Sequence, residues 1–458
     1  MSDEVDREYD TSPPPYPTQT ISGNEKHDSP VTHEIVETIN VRINELSPAL
    51  RELSLKIHGM AGYDLVSTAL KESHRLINAI ADHPELGFKE YYAHDTLTAS
   101  MESYGFDVTR HYLGLETAWR AEFKYRSSAS ATPEKSSPVH TLGINSEMDA
   151  LPAIGHACGH NLIAIAGVAI ALAAKTVLEK HDLDGNIVLL GTPAEEGGAG
   201  KVRLIERGGY KDMDVCIMCH PGPGPKNTSG VGPSLSLTGI EVEYFGHTAH
   251  ASAAPWEGKN ALDAAFLAYS AVSVLRQQIK PTHRVHGIVE GRDWAANIIP
   301  DYAKMKWYVR APSAAEVEVL KERVINCFKA AALSTGCKME LRMGETMFDL
   351  RQNGVLAQEY LDIIKEYNMG PNAVEGAIGG STDFLTVSSE LPSLHPSYAI
   401  PTTPNGGNHT RGFADAAKTK TAHECTLRVS KALTQSGIRT LIDEKFLTEV
   451  KGAFNPNK

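Results

Sequence analysis

The sequence GHACGHN at residues 155–161 places a thiol and two imidazoles among small residues, shortly after SEMDALP at residues 146–152. Cysteine and neutral histidine are the side chains that zinc and related metals prefer as ligands. The apolar, alanine-rich run at residues 162–177 predicts a buried helix directly afterwards. Because a helix N-terminus carries partial positive charge, we expect it to lower the pKa of the Cys158 thiol. Cys158 and His160 are therefore candidate metal ligands, with buried core residues as the common alternative for a lone Cys-x-His pair.

Strands that alternate with helices predict an α/β fold around this stretch. Apolar segments at residues 140–145, 185–191 and 214–219 are typical of buried strands. This alternation favours a mixed, mostly parallel sheet covered by helices, in which ligands bind at the carboxyl ends of the strands. Helices are also predicted ahead of the first strand, over residues 33–57, 63–80 and 91–103.

A different pattern interrupts this fold in its middle. Strand, helix, strand, strand, helix and strand follow one another there, and apolar residues recur every three or four positions in both helices. This βαββαβ order predicts a ferredoxin-like sandwich with one open sheet face. The polar, proline-rich start of the chain predicts a disordered tail. The chain is therefore predicted to have four parts: the tail at residues 1–30, a first catalytic part at residues 31–235, the inserted domain at residues 236–345 and a second catalytic part at residues 346–458.

Composition and charge limit the partners. The 458 residues carry a net charge of −12 and no cluster of Lys and Arg, which argues against nucleic acid. The six cysteines are too sparse for a disulfide framework and fit a reducing compartment. The acidic N-terminus lacks the apolar core of a secretory signal, and no uninterrupted apolar stretch approaches the roughly 18 residues that span a bilayer. We expect a cytoplasmic protein without a membrane partner.

Acidic and imidazole side chains follow the predicted strands at one edge of the sheet. The second strand ends in TPAEEGG, where Glu195 and Glu196 are adjacent, and the third ends before His220. A loop near the C-terminus adds His409 in GNHT, with His395 as the alternative. One of two adjacent carboxylates can bind a metal while the other accepts a proton from water; the alternative is a solvated acidic turn. Together with the Cys-x-His pair, this set is large enough for two metals that share one ligand.

The order of these motifs resembles peptidase family M20, which contains metallopeptidases and amidohydrolases, and in particular its Cys-x-His branch with the plant auxin-conjugate hydrolases. The resemblance covers residues 32–447, and its motifs are EMDALP, GHACGHN, GTPAEEG, HASAAPWEGKNALDA, NIIP, GGSTDF and NHT, which start at residues 147, 155, 191, 250, 297, 379 and 408. It implies a di-metal exopeptidase-like catalytic domain, with the inserted domain as a lid and dimerisation domain.

The resemblance implies roles for residues within these motifs. It implies five metal ligands: a bridging thiolate, two ligands of one metal and two of the other (Cys158; His160 and His409; Glu196 and His220). Glu195 matches the general base, and Asp149 matches a carboxylate beside the metals. Other branches of the family have a metal-binding histidine where this chain has Glu147, so Glu147 is not counted as a ligand.

Other matching residues are expected to contact the substrate. His250, in the inserted domain, matches an imidazole that reaches the neighbouring subunit's site and polarises the scissile carbonyl. Asn297 and Arg310 match polar groups that face the substrate's carboxylate, and Gly380 and Ser381 lie in a loop beside them. A homodimer through the inserted domain is therefore expected.

The resemblance implies a metal-dependent amidohydrolase or dipeptidase that cleaves dipeptides or N-acyl amino acids, including dipeptides with a basic C-terminal residue such as β-alanyl-lysine. Two divalent cations are expected; zinc suits the thiolate and imidazoles, and manganese or cobalt would fit the same donors. Two alternatives stay open. One is a metal-free thiol amidase that uses Cys158 and His160, and the other is a non-catalytic binding or scaffold protein with this fold.

Overall fold

The computed structural model of the protein describes residues 29–58, 84–130, 139–232, 234–344, 349–371 and 382–454. Almost all of the predicted tail, the helix predicted over residues 63–80, and the loop residues Gly380 and Ser381 lie outside these ranges. The described helices are α1 (His33–Ile57), α2 (Tyr91–Ser103), α3 (His160–His181), α4 (Gly200–Glu206), α5 (Ala261–Leu275), α6 (Ala314–Thr335), α7 (Gly354–Ile363), α8 (Phe384–Glu390), α9 (Arg411–Ala417), α10 (Lys420–Ile442) and α11 (Glu444–Ala453). The described strands are β1 (Asp107–Arg110), β2 (Trp119–Tyr125), β3 (Thr141–Glu147), β4 (Gly185–Thr192), β5 (Val215–Ile217), β6 (His220–Gly222), β7 (Thr228–Gly230), β8 (Ser236–Phe245), β9 (Arg284–Gly291), β10 (Tyr302–Ala311), β11 (Lys338–Met343), β12 (Gly370–Pro371), β13 (Ser393–Leu394) and β14 (Ser397–Ala399).

A six-stranded sheet joins the first and last parts of the chain. Its strand order is β1-β2-β4-β3-β5-β13. β3 runs parallel to β4 and β5, and β13 runs parallel to β5, whereas β1 and β2 are antiparallel at one edge. β3 is buried along its whole length, as expected of a strand that is covered on both faces. The mixed, mostly parallel sheet of the predicted α/β fold is thereby confirmed.

Helix α3 lies at the centre of the largest core and begins at the candidate site. Gly159 precedes it with a φ of +85°, and a Cβ there would lie 2.5 Å from Pro221 Cγ, so this turn requires glycine. The helix packs against the sheet and against helices α1 and α10. By length and composition alone it could cross a membrane. However, 89% of its most apolar window is buried inside the protein, which is typical of a core helix.

The chain between Ser236 and Met343 forms a separate antiparallel sheet. Its strand order is β11-β8-β10-β9, and helices α5 and α6 pack against it. β8 alternates strictly between buried and half-buried residues, which is the period of a strand with one packed face. A separate hydrophobic core, which includes Trp307 and Phe328, lies within this unit. The predicted βαββαβ order is present, and the use of the unit as a lid or dimerisation domain stays a prediction.

A small sheet, β12-β7-β14-β6, brings the C-terminal part of the chain to the candidate site. β14 is parallel to β6, with Ser397 opposite His220. Further along, the backbone N–H of His409 donates to the carbonyl oxygen of Ala157 at 2.8 Å. The last predicted donor is therefore tied directly to the loop between β3 and α3.

Candidate metal centre

The predicted donors lie in loops at one end of the six-stranded sheet. They occur between β3 and α3, after β4, at the start of β6, and before α9 (Cys158 and His160; Glu196; His220; His409). Because β3, β4 and β5 are parallel, their carboxyl ends meet at a single edge. The convergence of the first three loops follows from this topology.

Cys158, His160 and His220 form one group, in which one ligand atom from each lies within 4.8 Å of the others. Cys158 Sγ is 3.3 Å from His220 Nε2. His220 Nδ1 lies 2.7 Å from the carbonyl oxygen of Pro221, and His160 Nδ1 lies 2.7 Å from that of Asp149. Since a carbonyl can only accept, each Nδ1 donates a proton there, and both Nε2 atoms are left to act as metal ligands.

Cys158, Glu196 and His409 form a second group within the same distance limit. His409 Nε2 is 3.2 Å from Glu196 Oε1, and His409 adopts a φ of +66°. Cys158 is thus common to both groups, as a bridging ligand would be. The division of the other four differs from the one that the resemblance implies, because His160 lies with His220 and not with His409.

The donor set fits divalent cations. His160 Nε2 is fully buried and Glu196 Oε1 is also buried, and neither atom has a hydrogen-bond partner among the described residues. Buried polar atoms without partners are costly, and a cation between them would satisfy both. A thiol with imidazoles and a carboxylate is a combination that suits zinc.

The electrostatics of Cys158 differ from the sequence-based expectation. Burial raises the pKa of its thiol, and the neighbouring His160 imidazole lowers it only in part. The predicted lowering of this pKa by the N-terminus of α3 is therefore wrong, because taking the thiolate out of water outweighs the helix charge. A bound cation would favour the thiolate, since metal binding displaces the thiol proton.

The adjacent glutamates have opposite environments. Burial raises the pKa of Glu195 well above its usual range, and the neighbouring Glu147 and Asp383 raise it further. Burial alone would also raise the pKa of Glu196, but His409 and His160 lower it below its usual value. Two titratable groups whose pKa values are pushed apart are typical of an acid–base residue beside a ligand.

Asp149 links the two groups of donors. Its Oδ1 is 3.1 Å from His160 Nδ1, and its Oδ2 accepts a hydrogen bond from the backbone N–H of Glu196 at 2.9 Å. Burial would raise the pKa of Asp149, but His160, the backbone N–H of Glu196 and Lys201 together lower it below its usual value. Asp149 thereby stands behind one candidate ligand and fixes the backbone of another. His395, the alternative to His409, is instead buried against the rings of His220 and Phe384.

The predicted substrate residues of the inserted unit are arranged differently. His250 is exposed, and its Nδ1 accepts hydrogen bonds from the backbone N–H groups of Ser252 and Ala253 at 3.2 and 3.1 Å. Asn297 is exposed as well. Neither residue joins a donor group among the described residues. Burial lowers the pKa of Arg310, and Tyr308 and Glu195 partly offset this effect, so the charges of Arg310 and Glu195 interact.

A buried ion cluster lies behind the donors, and it was not predicted from the sequence. Lys201 Nζ lies 2.6 Å from Glu147 Oε1 and 2.5 Å from Asp383 Oδ1, and all three residues are buried. Burial would lower the pKa of Lys201, but Asp383 and Glu147 outweigh burial and raise it well above its usual range. The sequence shows a lysine five residues after the adjacent glutamates, but this spacing does not indicate that the lysine is buried.

Thiol, imidazole and carboxylate donors that converge beside a carboxyl group with a raised pKa define the class of site, a candidate hydrolytic centre for two cations. The model of peptidase family M20/M25/M40 matches residues 143–416 of this chain. The chain belongs to this family and is an enzyme of the hydrolase class.

Curated relatives cover most of the chain. It is 40% identical over 391 residues to a Xaa-Arg dipeptidase of Mus musculus, which covers 83% of this chain and 88% of that protein. It is 38% identical over 413 residues to a Xaa-Arg dipeptidase of Homo sapiens, which covers 87% of this chain and 92% of that protein.

Solved structures share the fold. A dinuclear metal-binding M20 peptidase of Bacillus subtilis aligns with a TM-score of 0.62 at 18% identity, covering 87% of this chain and 99% of that one. An aminobenzoyl-glutamate utilization protein of Klebsiella pneumoniae aligns with a TM-score of 0.58, also at 18% identity, covering 87% of this chain and 98% of that one.

Proposed function

We propose that the chain is a two-cation M20 hydrolase that cleaves the amide bond of dipeptides or N-acyl amino acids. The observation that carries this proposal is the sharing of Cys158 by two donor groups beside Glu195. Dipeptides with a basic C-terminal residue are the proposed preferred substrates, because two relatives that match most of the chain are named Xaa-Arg dipeptidases. The six cysteines are all free thiols, which supports the cytoplasm as the proposed compartment.

The donors identified above would hold the cations, with zinc favoured by the thiol and imidazoles and manganese or cobalt as alternatives. Bound cations polarise a carbonyl and lower the pKa of water. Glu195 takes a proton from the attacking water, whose oxygen forms a bond to the carbonyl carbon. The amide C–N bond then breaks, and Glu195 returns the proton to the leaving nitrogen. The burial of Glu195 supports this role, because it raises the pKa of the carboxyl well above its usual range and so makes the carboxylate a stronger proton acceptor.

His250 completes the proposed mechanism from the inserted unit. Its Nδ1 accepts two backbone hydrogen bonds, so the neutral ring carries its proton on Nε2 and can donate it to the carbonyl oxygen of a substrate. Asn297 is proposed to help at the same oxygen, and Arg310 at the substrate carboxylate, with Gly380 and Ser381 beside them. The electrostatic interaction of Arg310 with Glu195 supports a position of Arg310 near the candidate centre.

A homodimer is part of the proposal, because an exposed His250 has to be brought to a donor site. β9 is an edge strand of the antiparallel sheet, and edge strands can pair with a second copy. The neighbouring helix α5 exposes Phe266 and Val274, the latter by 73%. An exposed apolar surface beside a sheet edge is typical of a protein interface.

Glu195→Gln tests the proposed function, because it removes the proton acceptor and keeps the size of the side chain. We expect the variant to retain bound metal, measured by elemental mass spectrometry, and to lose about 10²- to 10⁴-fold in kcat on dipeptides. A panel of dipeptides and N-acyl amino acids, read by mass spectrometry, supplies the rates. Glu206→Gln, on the exposed end of α4, is the control and should keep full activity. Full turnover by metal-loaded Glu195→Gln would contradict the proposal.

Chelation separates this function from the thiol amidase. A metal-free thiol enzyme would need a reactive Cys158, whereas burial raises the pKa of that thiol and disfavours the thiolate. We expect a chelator to abolish hydrolysis and added zinc to restore it. Activity that survives chelation and is lost on alkylation would favour the thiol mechanism.

A further inference from the structure

A buried ammonium group lies directly behind the candidate centre. Besides its two ion pairs, Lys201 donates its backbone N–H to Asp383 Oδ2 at 2.9 Å, so Asp383 is held at both oxygens. Glu147 is the last residue of β3, Lys201 is the second residue of α4, and Asp383 directly precedes α8. One side chain thus connects three separate segments of the fold.

The same cluster contacts the candidate metal ligands. The second oxygen of Glu147, Oε2, lies 3.3 Å from His160 Nε2, the atom that is free to bind a cation. Neither of these two atoms has a hydrogen-bond partner among the described residues. Lys201 holds the other oxygen of the Glu147 carboxylate, and it therefore determines how Glu147 faces His160.

The cluster also contacts the proposed general base. One carboxylate oxygen from each of Glu147, Glu195 and Asp383 lies within 4.8 Å of the others. Three buried carboxyl groups at this separation repel one another strongly unless a cation lies among them. Lys201 is the cation that pairs with two of the three, and its charge also acts on Glu195.

The local chain explains how Lys201 reaches this position. It follows the glycine-rich turn that carries Glu195, and a Cβ on Gly200 would lie 1.8 Å from the carbonyl oxygen of Pro193. The turn therefore closes on itself, and only glycine allows this approach. The result is that Lys201 and Glu195, six residues apart, face the same buried cluster.

We propose that Lys201 is a positioning residue for the candidate centre: its ammonium holds Glu147 against His160 and separates the carboxyl group of Glu195 from its acidic neighbours. The part that concerns Glu195 rests on the proposed function. The part that concerns His160 affects cation binding alone and does not depend on any substrate.

Lys201→Met tests this inference, because methionine fills a similar volume without the charge. Residues that orient metal ligands typically contribute 10- to 100-fold to metal affinity or activity. We expect zinc to bind Lys201→Met about 10- to 100-fold more weakly, measured by competition with a chromophoric chelator. At saturating zinc we expect kcat to fall by a similar factor, with KM changed much less.

Arg439→Met is the matched control for a purely structural loss. Arg439 is also a buried cation with two carboxylate partners, Glu359 of α7 at 2.7 Å and Asp443 between α10 and α11 at 3.2 Å, and neither segment carries a candidate metal ligand. We expect this variant to lose stability while its zinc affinity and kcat stay unchanged. If Lys201→Met behaves in the same way, Lys201 has only a structural role and the inference is overturned.

Asp383→Asn keeps the test decisive if Lys201→Met does not fold. It removes one charge from the cluster but leaves an oxygen that can accept from Lys201. We expect a smaller loss of zinc affinity in the same direction, and unchanged affinity together with unchanged kcat would overturn the inference. If the wild type binds zinc but hydrolyses no member of the substrate panel, the proposed function fails, and the zinc measurements still decide the role of Lys201 at His160.

Discussion

The two sheets of the molecule present their candidate functional residues in opposite ways. At the edge of the six-stranded sheet, Cys158 and His160 are buried, and each makes hydrogen bonds that fix its position. In the antiparallel unit, His250 and Asn297 are exposed: His250 Nδ1 accepts from backbone N–H groups of its own loop, and the Asn297 carbonyl accepts from Ala251 N–H beside His250. The residues proposed to bind the cations are therefore brought together within one chain. The residues proposed to polarise the carbonyl have to be brought to that site.

The topology of the sheets causes this difference. Parallel strands with helical crossovers bring their carboxyl ends to one edge, so loops that are far apart in sequence meet there. An antiparallel sheet with helices on one side has a second face that nothing within its own unit covers. Residues on or beside that face, such as Tyr308 and Ile288, stay exposed. We infer that the six-stranded sheet carries rigidly held ligands, whereas the antiparallel unit carries groups that act only when they are brought to the candidate centre.

Cys158→Ala should have the largest effect, because this thiol belongs to both donor groups. We expect the variant to bind at most one cation in place of two and to lose at least about 10³-fold in kcat/KM. Elemental mass spectrometry and dipeptide hydrolysis measure the two effects. Cys425→Ala, which removes another buried thiol from α10, is the control and should keep both cations. Two tightly bound cations in Cys158→Ala would show that the thiol does not bridge them.

His250→Ala should have a smaller effect and of a different kind. We expect metal content to stay at the wild-type value and kcat to fall about 10²-fold, because an oxyanion donor is lost while every cation ligand remains. His247→Ala, three residues earlier and also exposed, is the matched control and should keep its activity. Loss of metal in His250→Ala would contradict the separation of the two regions.

Mixing two inactive variants tests whether His250 acts in the neighbouring copy. If subunits of Glu195→Gln and His250→Ala exchange at random, about half of the dimers are hybrid, and each hybrid has one complete site only when His250 acts across the interface. Activity should then recover to about a quarter of the wild-type value. If His250 serves the site of its own chain, no activity returns.

The sequence was sufficient for those features that local patterns determine. The bounds of α1 and α2 match the predicted residues 33–57 and 91–103, because the pattern of apolar residues is a local signal. The convergence of Cys158 and Glu196 could also be predicted, since it follows from consecutive parallel strands.

Features that depend on the surroundings of a side chain could not be predicted. The grouping of His160 with His220 depends on how β6 is placed beside α3. The raised pKa of Cys158 depends on burial that no local pattern specifies. Lys201 is a common surface residue type, and only the folded chain places it between Glu147 and Asp383.

The smallest predicted effect concerns acid stability. His423 in α10 is buried against α1, with Nε2 3.1 Å from Ser47 Oγ, and burial together with Arg51 lowers its pKa to about 4. The folded protein keeps this imidazole neutral, while the unfolded chain takes up a proton as the pH falls below about 6.5. Stability is therefore fully present above that pH and is lost as the pH falls towards 4.

His423→Gln tests this contribution. When the pH is lowered from 7 to 5, we expect the unfolding free energy of the variant to fall by less than that of the wild type, the difference being on the order of 1 kcal/mol, measured from urea transitions of the metal-free protein. His247→Gln, which replaces an exposed histidine of the antiparallel unit, is the control and should keep the wild-type pH dependence. An equal change in both variants would mean that buried imidazoles of the catalytic region do not set its acid sensitivity.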